Sequence, residues 1–334
     1  MADYQKMENI YSCYWIKRTF SRALDSWISF SNHHGNCPGF TLCVQSHFES
    51  TYTGSSYRWS DHGNESCLYR TSFTFLIKMI FTNLIKTNLR TKEFGKEIEY
   101  YQRLDSTNNE AWELINNGET QHGMIVITDY QFKGKGRSGN SWFMSPSKGI
   151  AMSLILQKPL PFNLAGLIPL VAGVAMARTL KNRNFNPKLK WPNDILLNQK
   201  KVGGILCESK ISKKSVNTMV VGIGLNVNET RNDFPENLIK TASSLSIESK
   251  HPHQRELIVA IFATYFEQCI ELVQHSPQEL ITEWETFCGH LNQTITFKFD
   301  GNSLSGLFKG VNNLGQAVII IDGNEQVFPS IILD

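Results

Sequence analysis

Lys190-Trp191-Pro192-Asn193-Asp194-Ile195 is followed, seven positions after its aspartate, by Lys201-Val202-Gly203-Gly204-Ile205-Leu206. Ile195–Leu197 and Val202–Glu208 have the aliphatic and β-branched content of strands, and Asn198–Lys200 between them is turn material. Two lysines, an Asn-Asp pair and a Gly-Gly therefore fall on consecutive strands. Cations and a carboxylate are thus set close to glycines, whose missing side chains let a ligand approach the backbone.

Upstream, Gly134-Lys135-Gly136-Arg137-Ser138-Gly139 follows a strand predicted over Gly123–Asp129 and matches G-x-G-x-x-G. A dinucleotide turn of that pattern must open a helix, with an acidic residue roughly 20 positions on. Here Trp142-Phe143-Met144-Ser145-Pro146-Ser147 follows, and its proline blocks helix propagation. A strand over Ile150–Gln157 comes next, and residues 157–163 contain no acid. No Gly-Lys-Ser/Thr closes a Walker loop either. What remains is a doubly cationic glycine loop between strands, whose N–H groups and charges suit a phosphate or carboxylate.

Further out, Tyr100–Leu104 reads as a strand and Asn108–Asn117 as a helix closed by Gly118. Thr107 and Glu110 have the spacing of a capping box. Leu164–Asn182 predicts one long apolar helix with Pro169 in its first turns, Met219–Asn228 a strand, and Arg255–Val273 a helix. After Leu291 four short strands are expected, Thr294–Phe299, Leu304–Val311, Ala317–Asp322 and Gln326–Ile332, separated by hairpin-turn sequences. The pattern is α+β, with a small barrel-like tail.

The 334 residues carry 33 basic and 30 acidic side chains, a net charge of +3, which excludes a polybasic nucleic-acid binder. No uncharged apolar run reaches about 18 residues, so no membrane span is expected. The amino terminus lacks a secretory pattern, and a cytoplasmic location is expected. Seven cysteines with no CxxC pair argue against a disulfide framework and read as scattered thiols. Four of them lie before residue 70 beside four histidines, but at gaps longer than zinc modules use. Residues 1–78 hold 15 of the 37 aromatic residues and show no regular apolar period. They also lack the paired amphipathic helices and basic second helix of a DNA-reading module. No fold is assigned to them.

Taken with Asp105-Ser106-Thr107-Asn108, the Gln131–Trp142 loop and Gly222-Ile223-Gly224-Leu225-Asn226-Val227-Asn228, the paired runs resemble the biotin–protein ligases. The resemblance spans roughly residues 79–334. It implies a mixed-sheet biotin/lipoate ligase-like catalytic domain over 79–288 and a small SH3-like β-barrel over 289–334. It also implies formation of biotinyl-5′-AMP from biotin and ATP with Mg2+, then transfer to a lysine of a biotin carboxyl carrier domain.

By that resemblance, Lys201 holds the biotin carboxylate, Arg137 the adenylate phosphate and Lys190 the polyphosphate, and these three are the expected catalytic residues. Ser106, Thr107, Asn108, Gln131, Lys135, Gly136 and Gly204 join Arg137 and Lys201 around biotin. Trp142, Asn193 and Asn226 join Arg137 and Lys190 around the nucleotide, and Asp194 anchors magnesium. Each has a plainer reading: Ser106 and Thr107 as helix caps, Trp142 as core, Asn226 as the end of a strand, Lys200 as a solvated turn lysine.

Two departures from the pattern stand out: Met144 looks like one extra residue ahead of Ser145-Pro146, and residues 1–78 show no winged-helix pattern. The rival readings are a lipoate-type ligase of the same fold and a biotin-responsive DNA-binding repressor using residues 1–78. Neither nucleic acid nor membrane is an expected partner, and a homodimer is left open.

Overall fold

A computed structural model describes residues 79–333 except 213 and 214. The unassigned segment 1–78, with the zinc and DNA-binding readings attached to it, lies outside the described residues.

The described chain starts with α1 (Thr82–Asn88), β1 (Ile98–Tyr101), α2 (Thr107–Asn116) and β2 (Ile125–Thr128). The glycine loop then forms a small hairpin of β3 (Gly134–Lys135) and β4 (Ser141–Trp142), followed by β5 (Ile150–Leu156) and β6 (Leu160–Pro161). After α3 (Phe162–Ala165) and α4 (Ile168–Asn182) come β7 (Lys188–Lys190), β8 (Asp194–Leu197), β9 (Lys200–Ser212) and β10 (Ser215–Leu225). Three helices, α5 (Leu245–Ser249), α6 (Arg255–His275) and α7 (Pro277–Phe287), precede a second sheet. That sheet contains β11 (Thr294–Phe299), β12 (Asn302–Val311), β13 (Ala317–Ile321), β14 (Asn324–Phe328) and β15 (Ile332–Leu333).

The main sheet runs β1-β2-β5-β10-β9-β8-β7, with β6 on β10; β1 and β2 are parallel and the other pairs antiparallel. Its strands alternate, and the alternation separates two layers. Ile125, Ile127, Met152, Leu154, Val221 and Ile223 pack into one core with α4 and α6. Val126, Ile155 and Val220 point the other way, onto Ala111 and Leu114 of α2. The second sheet runs β14-β13-β12-β11-β15, and Phe297, Phe308, Ile319 and Phe328 fill its interior.

Three sequence expectations are corrected. The long helix over Leu164–Asn182 is two helices, because Pro169 occupies the second position of α4, where its missing N–H costs nothing. Thr107 and Glu110 form no capping box: Ser106 is the N-cap and makes no side-chain cap bond, while Gln131 Oε1 accepts the Thr107 N–H at 2.9 Å. The last strand ends at Phe328 and resumes at Ile332, because Pro329 has no N–H to donate to a ladder. The helix α7, to which the sequence reading gave no element, buries Leu280, Ile281 and Trp284. Gly118, at φ +71°, takes the left-handed position expected after α2.

Among the buried carboxyls outside the cleft, Glu229 has no exposed surface. Glu229 is fully buried beside Gly149, and burial pushes it up to about 7, although the N–H groups of Glu229 and Val227 oppose the rise. A carboxyl raised in the folded state keeps its proton longer than it does in the unfolded chain. The stability it allows is therefore full below its ordinary value of 4.5 and falls as the pH climbs to about 7. Glu229→Gln removes that titration. Relative to wild type, the variant should gain on the order of 2 kcal/mol between about pH 5 and about pH 8. Urea melts of both proteins at the two pH values check this; a constant difference would show that Glu229 stays charged in the fold.

Candidate active site

A cleft opens on the α2 side of the main sheet, where the strands carry small residues. Gly222 and Gly224 of β10 and Gly204 of β9 line it. A methyl group on Gly224 would stand 2.4 Å from the Trp142 ring, and one on Gly222 would stand 2.3 Å from Asn108 Oδ1. No side chain fits at either place, so the indole and the asparagine lie directly on the strand backbone.

Behind them runs a buried polar chain. Ser153 Oγ donates to Asn108 Oδ1 at 2.6 Å and lies 2.8 Å from the Thr107 hydroxyl, and the Asn108 amide donates to Glu208 at 2.7 Å. Thr107 Oγ1 also reaches Gln131 Oε1 at 3.3 Å, so this network fixes the start of α2 against the glycine loop. Arg255, the first residue of α6, ties down both ends of that loop. It pairs with Asp129 at 2.9 Å and donates to the Gly149 carbonyl at 3.3 Å.

The cations come from three segments. Lys201 Nζ lies 2.5 Å from Asp194 Oδ1 and 6.0 Å from the Trp142 ring centroid. Arg137 donates to Ser330 Oγ at 2.9 Å; burial pulls its guanidinium below its ordinary value, and the nearby Asp194 charge opposes that pull. Lys190 Nζ donates to the Leu333 carbonyl at 3.2 Å. Lys135 also lines the cleft, with its ammonium donated to Asn109 on α2. Asp194 is the one carboxylate among the described residues that line the cleft. On the core side of β9, burial pushes the Cys207 thiol up to about 12, which leaves it protonated.

Thirteen of the fourteen residues singled out from the sequence line this cleft: Ser106, Thr107, Asn108, Gln131, Lys135, Gly136, Arg137, Trp142, Lys190, Asn193, Asp194, Lys201 and Gly204. Asn193 lines it while its amide donates to the Ile205 carbonyl at 2.8 Å, pinning β9. The structure does not bring Asn226 there. It is buried, and its amide donates to the Ser243 carbonyl at 3.0 Å.

The sequence reading missed Ser153, Glu208 and the closing residues Ile331, Ile332 and Leu333. Ser153 had a signal, a lone hydroxyl at an alternate position of the otherwise apolar β5. Glu208 had another, two positions beyond Leu206 on the same face of β9. Among the described residues no group of three or more His, Cys, Asp or Glu side chains is placed to hold a metal ion. A lone carboxylate fits magnesium only as that ion is usually bound, by one or two carboxylates together with substrate phosphates and water.

The cleft sets Lys135, Arg137, Lys190 and Lys201 over a glycine-lined sheet with a buried polar recess at one end, a lining suited to an anionic ligand. The family model described as "Biotin/lipoate A/B protein ligase family" matches residues 100–226. The bifunctional ligase/repressor BirA of Bacillus subtilis (strain 168) is 30% identical over 245 residues, 73% of this chain and 74% of that protein. A biotin–[acetyl-CoA-carboxylase] ligase of Paracoccus denitrificans is 28% identical over 233 residues, covering 68% of this chain and 96% of its own. Among solved structures, a biotin protein ligase from Aquifex aeolicus in complex with biotin and ATP superposes with a TM-score of 0.61 at 25% identity. That match covers 72% of this chain and 99% of the other. The chain belongs to the biotin–protein ligase family.

The Asn108–Ser153 contact yields a stability test. Asn108→Ala removes one partner of the buried Ser153 hydroxyl, which keeps the Thr107 hydroxyl, and should cost about 1 kcal/mol in urea unfolding. In a double-mutant cycle with Ser153→Ala, a coupling of about 1 kcal/mol is expected. A coupling near zero would show that the two side chains are not bonded.

Proposed function

We propose that this chain joins the carboxylate of biotin to the α-phosphate of ATP and then passes the biotinyl group to a lysine of a biotin carboxyl carrier domain. The observation that carries the reading is the convergence of Arg137, Lys190 and Lys201, from three separate segments, on one cleft beside the buried recess at Thr107, Asn108 and Gln131.

The first step brings two anions together, and their mutual repulsion opposes it. Lys201 sits where a biotin carboxylate would lie if the ureido ring occupies the recess. A biotin carboxylate oxygen attacks the α-phosphorus, the α–β phosphoanhydride bond breaks and pyrophosphate leaves. Arg137 neutralises the phosphate that remains on the mixed anhydride, and its planar fork suits that oxygen pair. Lys190 meets the departing polyphosphate. Preorganised cations of this kind stabilise the charge that builds in the transition state. Asp194 would hold magnesium together with the phosphates, and the ion would supply further neutralisation of the leaving group. In the second step the acceptor amine attacks the acyl carbon, loses its proton, and AMP departs. Trp142, laid over Gly224, offers its ring face to adenine.

The direct test is incubation of the protein with biotin, ATP, magnesium and a carrier domain, followed by intact mass analysis. A gain of one biotinyl group on a single carrier lysine is expected. No gain, with lipoyl transfer in its place, would assign the lipoate-type activity. A salt-dependent, nanomolar gel shift on a palindromic site would establish the repressor reading.

Arg137→Ala probes the assignment of the loop. Free biotin presents a single carboxylate, whereas the adenylate adds a phosphate that needs its own cation. Losing a charge-assisted contact to that phosphate should cost about 1.5–3 kcal/mol, roughly a tenfold to hundredfold faster loss of the intermediate. Free biotin affinity should fall much less. Dissociation of the adenylate, measured beside biotin affinity, decides; an intermediate held as tightly as in wild type would remove Arg137 from the phosphate site.

A further inference from the structure

Lys201 and Gly204 both line the cleft, yet they are three positions apart, and strict alternation would place them on opposite faces of β9. A register shift resolves this. Leu196 pairs with Lys201, but the next residue of β8, Ile195, pairs with Gly203, so β9 carries one extra residue at Lys201-Val202. Bulges re-aim side chains and disrupt the local ladder. This bulge turns Lys201 into the cleft, with its ammonium 3.7 Å from where a Gly204 side chain would begin.

The backbone of Lys201 is held from the other side. Its N–H donates to the Thr241 carbonyl at 2.8 Å, and its carbonyl accepts the Ser243 N–H at 2.9 Å, a one-residue parallel bridge centred on Ala242. That segment is tied down at each end. The Asn226 amide donates to the Ser243 carbonyl, while the Asn226 N–H donates to the Val202 carbonyl at 2.7 Å, inside the bulge itself. The Ser243 hydroxyl donates to Glu248 Oε1 at 2.5 Å, and Glu248 Oε2 accepts from Asn198 at 2.5 Å. Asn198 sits in the two-residue turn joining β8 to β9, where it and Gln199 both have positive φ. The bonds close a ring around the base of Lys201: turn, bulge, β10 end and α5. Neither Asn226 nor Ser243 lines the cleft.

We infer that Asn226, Ser243 and Glu248 are positioning residues that fix the ammonium of Lys201 in the cleft. The inference rests on the proposed function, in which that ammonium meets the biotin carboxylate. A lysine on a bulge has no regular ladder to hold its direction, and a displacement of about 1 Å is enough to cost a reaction roughly a hundredfold. The ring supplies the constraint that the ladder does not.

The test is titration calorimetry of biotin and of biotinamide, which lacks the carboxylate charge. It uses wild type, Asn226→Ala and Glu248→Ala, each variant also in a Lys201→Ala background. A mere loss of fold would weaken both ligands alike. The expected result is a biotin Kd raised about tenfold by each variant, with biotinamide changed less than about twofold, and no further loss where Lys201 is already alanine. If Asn226→Ala does not fold, Glu248→Gln keeps the side-chain volume and one acceptor oxygen, and should weaken biotin by about half as many decades as Glu248→Ala. Equal weakening of both ligands, unchanged biotin binding, or the same loss in the Lys201→Ala background would each overturn the inference. Wild type that binds no biotin would overturn the proposed function itself, whereas wild type that binds it with unaltered variants overturns this inference alone.

Discussion

The Asp194–Lys201 ion pair is the contact around which the cleft is organised. Arg137, Lys190 and Lys201 share one depression, and like charges at such separations repel each other unless a counter-charge stands among them. Asp194 supplies it, at 2.5 Å from Lys201 and close enough to act on Arg137. The pair exists because Asp194 lies opposite Gly204 in the β8–β9 ladder, so the lysine chain crosses a position with no side chain. The seven-residue spacing between the two motif residues is thus a hairpin turn plus a bulge, which lets the lysine fold back over the strand.

The two faces of the main sheet divide the work. One carries Ile, Leu, Met and Val into the core with α4 and α6, and that burial supplies the rigidity. The other is stripped at Gly204, Gly222 and Gly224, which gives up packing there and opens room for Asn108, Trp142 and a ligand. A strand with large side chains on both faces would pack better and bind nothing. Met144, which the resemblance marks as an extra residue, is buried.

Much of this was legible in the sequence. Aliphatic and β-branched content located β5, β9 and β10, turn chemistry located the hairpins of the second sheet, and thirteen of the fourteen chosen residues line one cleft. What failed did so where tertiary contacts overrode local rules. Thr107 looks like a cap, but its N–H and hydroxyl are claimed by Gln131, twenty-four positions away. Asn226 is a nucleotide residue by resemblance of the run Gly222–Asn228, yet it falls one position past the end of β10 and its amide donates to the Ser243 carbonyl. The bulge at Lys201 is invisible to a pattern of residue types, since it is defined only by which partner each backbone group finds.

The second sheet enters the site through motif residues. The Trp191 indole donates to the Gly315 carbonyl at 3.1 Å in the turn between β12 and β13, while Lys190 and Arg137 donate to Leu333 and Ser330 around β15. A single run, Lys190–Asp194, therefore bolts the two sheets together and also faces the cleft. The acceptor that the closing segment offers Arg137 is the Ser330 hydroxyl, which is neutral. Phosphate and carboxylate oxygens are roughly twice as strong as partners for a guanidinium or an ammonium. Under the proposed function an arriving anion exchanges a weaker bond for a stronger one at a guanidinium that is already aimed. The closing segment, through Ser330, then keeps Arg137 directed at the cleft.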